Sequence, residues 1–98
     1  MNELIRQAQM MQKKMLKTQE EMAKKEVETS VGGGMVTVRA NCAGEILSVK
    51  IDPVVLEDVD MLQDLVLSAV NEVIKKGKDL MQGEMAQITG GMKIPGLF

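Results

Sequence analysis

The sequence predicts an α+β subunit with the element order α-β-β-β-α. Two observations carry this prediction. Apolar residues recur at steps of four and three near both ends of the chain and at a step of two between them. The breaks between the strands fall at Gly and Asn and the return to a helical period at Pro53, residues that punctuate local structure.

The first helix is expected over residues 2 to about 25. This stretch has no Gly or Pro and is filled by Gln, Lys, Met, Glu and Leu, all good helix formers. Leu4, Ala8, Met11, Met15, Thr18 and Met22 form a heptad seam along it. From Glu26 the period is two. Val27, Thr29 and Val31 alternate with polar residues, then Val36, Val38 and Ala40, and after "NCAG" Leu47, Val49 and Ile51 share one face. Three short strands joined by tight turns make an antiparallel meander. The triplet Gly32, Gly33 and Gly34 in "SVGGGMVTV" is followed by a strand, not a helix, and no Lys-Ser or Lys-Thr pair closes it. A phosphate-binding loop needs that helix N-terminus. The glycines therefore supply the positive φ angles of a hairpin turn.

Pro53 ends the third strand, and Asp58 or Asp60 can cap the second helix. Asp60 with Gln63 fits a capping box, and the helix is expected over about 60–87. Leu62, Leu65, Val66, Ala69, Val70, Val73 and Ile74 form its broad apolar face, which thins to Leu80, Met81 and Met85. Gly77 interrupts it where alanine is expected, and should weaken that turn by about 1 kcal/mol or kink it. Residues 1–98 read as one domain, with 88–98 an irregular tail. A helix of about 24 residues is roughly 36 Å long, and a six-residue strand roughly 20 Å. Both helices thus overshoot the sheet with apolar seams exposed, and a three-stranded sheet keeps two open edges. A homodimer is the expectation.

Composition narrows function by exclusion. The chain has no His and one Cys among 98 residues. The commonest general base and metal ligand is missing, and no internal disulfide can form. No apolar run reaches membrane-spanning length and no secretory pattern opens the chain, so a cytoplasmic location is expected. Methionines at helical spacing are read as packing filler rather than a copper site, and Cys42 as an inert turn residue. No metal, no cofactor and no catalytic residue are expected. Binding remains. Charge is segregated: residues 1–25 hold six bases against three acids, the remainder six against eleven. Lys13, Lys14, Lys17, Lys24 and Lys25 lie on the first helix, and Lys75, Lys76 and Lys78 on the second. On the residues alone, a solvated face outweighs nucleic-acid contact. Single strands are disfavoured because stacking needs aromatics, whereas duplex phosphates suit lysines on projecting helices.

Taken in order, "QAQMMQKKM", "EVETSVGGGMVTV", "VKIDP", "MLQDLVLSAVNEVIKK" and "TGGMKIPGLF" resemble the YbaB/EbfC nucleoid-associated proteins, collinearly from about residue 4 to 98. The resemblance implies a tight, tweezer-like homodimer with projecting helices that binds double-stranded DNA, often with little sequence preference. It implies a role in nucleoid organisation or gene regulation. The eight lysines named above are the DNA-binding candidates it selects. The other class of reading is a protein-interaction dimer whose methionine seam and Phe98 dock a replication or recombination protein. The Gly-rich N-terminal extension that some members carry is not expected here.

Overall fold

The computed structural model describes residues 2–89. Helix α1 spans Asn2–Ala23, strands β1, β2 and β3 span Glu26–Val31, Val36–Asn41 and Ile46–Ile51, and helix α2 spans Val59–Thr89. A 3-10 helix over Pro53–Glu57, which the sequence did not announce, links β3 to α2. The helix expected to stop near residue 87 runs to Thr89, and residues 90–98 of the expected tail lie outside the described residues.

The three strands pair antiparallel in the order β1-β2-β3. The first hairpin turns through Gly32, Gly33 and Gly34 at φ of 63°, 67° and 95°, the left-handed region that side chains avoid. The second is held by Asn41, whose Oδ1 accepts from the amides of Ala43 and Glu45, with Gly44 at φ 90°. Val36, Val38 and Ala40 of β2 face the helices and are fully buried. Val49 and Ile51 of β3 sit opposite Val38 and Val36. Leu47, expected to complete that row, does not: a register shift between Arg39 and Ala40 pairs Ala40 with Ile46 and leaves Leu47 as the extra residue of a bulge. The opposite sheet face is polar, with an Arg39–Glu26 ion pair at 2.7 Å and a Ser30–Thr37 hydroxyl contact at 3.1 Å.

The cap of α2 also differs from the expected box at Asp60. Asp52 first caps the 3-10 helix by accepting from the Val54 amide. Asp58 then caps α2, its Oδ1 accepting from the Met61 amide at 3.0 Å. The 3-10 turn spends Pro53–Glu57 on its own hydrogen bonds and so brings Asp58, not Asp60, to the helix start.

Helix α2 crosses β1 and β2 and packs Ala69 and Val73 into the core with Met22, Val27, Val36, Val38, Ala40 and Cys42. Gly77 marks where it passes the end of the sheet. A Cβ there would lie 3.3 Å from the Asn41 carbonyl oxygen and 3.4 Å from the Cys42 Cα. The helix is continuous through this residue, so Gly77 serves close approach of two backbones rather than a kink. Beyond it α2 leaves the sheet and packs against α1, which starts back from the head of β1 and runs antiparallel to it. Met15 and Met85 are buried in this two-helix arm, outside the main core cluster. From Gly77 to Thr89 is about 18 Å of helix, whereas α1 extends about 32 Å from the same end. Residues 2–10 of α1 therefore project past Thr89, the last described residue of α2, and are exposed throughout.

Replacing Gly77 with valine drives a branched side chain into the Asn41–Cys42 backbone. Gly77→Val is expected to destabilise the fold by about 2 kcal/mol through overpacking, read as a lower urea midpoint with an unchanged denaturant slope.

Candidate nucleic-acid interface

All eight candidate lysines are exposed, but the fold sorts them. At 100° per residue, Lys13 and Lys17 fall within about 20° of the line directly opposite buried Met15. Arg6, absent from the sequence-based candidates, lies on that same line, two turns ahead of Lys13. Its signal was present as the spacing 6, 13, 17, which places all three on one helix face. Lys14 stands on the flank of α1, on the side that also carries Glu3 and Glu21. Lys24 and Lys25 follow the end of the helix, their amides closing its last turn onto Glu21 and Met22. Lys25 is further tied down by its carbonyl, which accepts from the Cys42 amide at 3.1 Å.

On α2, Lys75 and Lys78 point away from the buried Val73 face. Lys76 does not share that freedom. Its Nζ donates to the Glu28 carbonyl of edge strand β1 at 3.1 Å. A cation on an edge carbonyl blocks further strand pairing there. The structure thus brings Arg6, Lys13 and Lys17 into one stripe, extends it toward Lys24, and leaves Lys14, Lys25 and Lys76 apart. The acids Glu57, Asp58, Asp60 and Asp64 gather at the start of α2, the opposite end of the molecule from the arm.

A second surface is apolar. Because α2 lies over β1 and β2, the helix-side row of β3 is left bare: Ile46, Val49 and Ile51 remain 37–45% exposed. Beside it an open groove of about 500 Å³ is lined by Ile51, Leu62, Val66, Leu67 and Val70. Cys42 is buried, and that burial raises its thiol pKa against a smaller opposing effect of the Lys25 charge, which disfavours the reactive thiolate. Among the described residues no cluster of three or more His, Cys, Asp or Glu is arranged to hold a metal, and no helix is long and apolar enough to cross a membrane.

The model of the YbaB/EbfC DNA-binding family matches residues 1–92. A nucleoid-associated protein of Pelotomaculum thermopropionicum is 50% identical over 100 residues, covering 100% of this chain and 95% of the relative. One of Alkaliphilus metalliredigens is 49% identical over 100 residues, covering 100% and 88%. The crystal structure of an uncharacterized protein from Helicobacter pylori superimposes with a TM-score of 0.81 at 27% identity, covering 92% of this chain and 97% of that one. The chain belongs to the YbaB/EbfC DNA-binding family, which is not an enzyme class.

The anchoring of Lys76 sets it apart from the other lysines in a stability measurement. Lys76→Ala is expected to cost about 1 kcal/mol by removing one charge-assisted hydrogen bond. Lys13→Ala and Lys17→Ala should leave the urea midpoint within about 0.5 kcal/mol of the parent.

Proposed function

We propose that this protein binds double-stranded DNA as a homodimer, mainly through phosphates, and acts in the nucleoid. The observation that carries the reading is the stripe of Lys13 and Lys17, continued by Lys24, on the face of α1 turned away from every packed surface. Lysine is a compact, hydrated point charge and suits phosphate contacts that need no fixed geometry. Lys75 and Lys78 add positive charge on α2 further along the arm. Lys14 and Lys25 are exposed beside that stripe, and Lys76 donates to β1.

The homodimer is argued from the bare row of β3 and the groove beside it. Together they form a contiguous apolar face, larger than isolated surface residues explain, on a chain with a small aliphatic core. A second copy laid on this face would cover the sheet without touching the α1 stripe, and would give the particle two basic arms. The protein-interaction alternative draws on the methionine seam and on Phe98. The seam is largely consumed by α2 from Met11 onward, and Phe98 lies outside the described residues.

Titration of a random duplex across salt tests the DNA reading. Log affinity should fall linearly with log salt, with a slope near −0.9 per phosphate contacted. Lys13→Glu with Lys17→Glu should weaken low-salt binding by about tenfold or more, through two lost contacts and added repulsion. A folded protein that ignores duplex DNA at low salt would defeat the reading and favour a protein partner.

The dimer has its own test. Val49→Asp with Leu67→Asp alters two exposed side chains, so the subunit should stay folded. Sedimentation equilibrium should shift from twice the chain mass to 10.7 kDa. A parent that is already monomeric at micromolar concentration would remove the dimer.

A further inference from the structure

The stripe on α1 changes chemistry along its length. Residues 2–12 contain no lysine, and from Lys13 onward lysine is the stripe's only cation. On the free tip the outward face carries Asn2, Arg6 and Gln9 instead. With Lys13 they fall within an arc of about 60°. Arg6, Gln9, Met10 and Lys13 line one continuous surface groove. Asparagine, arginine and glutamine are the planar side chains that form bidentate pairs with base edges: Arg with guanine, Asn or Gln with adenine.

The tip also has the shape for such contacts. Every residue from Asn2 to Met10 is exposed, over about 13 Å of bare helix. A helix about 10–12 Å across enters a major groove about 12 Å wide and 8.5 Å deep. Recognition helices characteristically present their N-terminal residues to base edges, and here residues 2–10 stand exposed beyond the described part of α2. The seam residues Leu4 and Ala8 lie on the opposite side of α1, so a cover over the seam leaves the reading face open. Met10, 63% exposed and about 40° beyond Arg6, flanks the arc and is placed to meet a thymine methyl. Glu3 lies about 60° beyond Arg6, outside the arc.

We infer that the free tip of α1 reads base edges in the major groove, with Arg6 and Gln9 as the principal reading side chains, supported by Asn2. Lys13 and Lys17 hold the flanking phosphates and set the register. This inference rests on the proposed duplex binding and adds a sequence preference to it.

Selection from a randomised duplex pool, followed by affinity measurement on the enriched site and its scramble, tests it. The parent should favour the enriched site by about tenfold or more, the scale of one good bidentate pair. Gln9→Ala carries no charge change. It should cut that ratio to about threefold or less without changing the salt slope, which counts phosphate contacts. Arg6→Lys, which keeps the charge but loses the planar fork, should do the same. Binding of the parent to all sequences within about threefold, or a preference untouched by both variants, would overturn base readout while leaving phosphate binding standing. Absence of duplex binding at low salt would remove both.

Discussion

The passage of α2 over the end of the sheet at Gly77 is the contact on which the rest of the molecule depends. Here a helix backbone rests almost on a strand-end backbone, with the Asn41 carbonyl and Cys42 Cα at the limit a Cβ would tolerate. That closeness lets Ala69 and Val73 sink onto Val36, Val38 and Ala40, all at zero exposure. It also sets the line α2 follows after leaving the sheet. The segment beyond the sheet is the surface on which α1 packs. The direction of α1, and so the direction of its basic stripe, is inherited from the approach at Gly77.

The core this contact creates is narrow. It is built from valine, alanine and methionine, and no aromatic residue adds area to it. Methionine suits the arm, where two helices alone must bury Met15 and Met85 and flexible side chains fill irregular gaps. The same economy leaves β3 short of cover. A strand buried on one side normally alternates apolar-in and polar-out, yet Val49 and Ile51 carry the inward pattern and still meet solvent. In the proposed dimer this bare row is the surface that a second copy would cover. This is the physical basis for treating the apolar face and the basic arm as separate devices.

Much of this was legible in the sequence. The α1 seam, the three alternating strands and the glycine triplet are local patterns with one physical solution each, and the structure adopts it. What was not legible depends on geometry between elements. Asp58 and Asp60 are both competent caps, and only the 3-10 turn decides between them. Leu47 fits the alternation, but the bulge against β2 is a property of the pair. Gly77 reads as a weak point in an isolated helix and becomes a point of close approach once a Cβ there would lie 3.3 Å from the Asn41 carbonyl oxygen. Lys76 looks like its neighbours until β1 offers it a carbonyl. Arg6 could have been grouped with Lys13 and Lys17 by helical spacing alone, but only the buried position of Met15 shows which face that group occupies.

An acidic chain that binds DNA is no contradiction once the charges are placed. The acids at the start of α2 and the basic stripe on α1 are separated by most of a 31-residue helix, a length of about 46 Å. At physiological ionic strength the Debye length is about 8 Å, so charges this far apart barely sense one another across solvent. A phosphate beside Lys13 therefore experiences the arm and not the net charge of −2. The distant acids lower the overall charge without weakening the stripe, and they repel the duplex from the end that carries no candidate contacts. Segregation along a long molecule thus favours an orientation in which the basic arm, rather than the acidic start of α2, faces a polyanion. Screening works against that orientation together with affinity, because both arise from the same unneutralised phosphates.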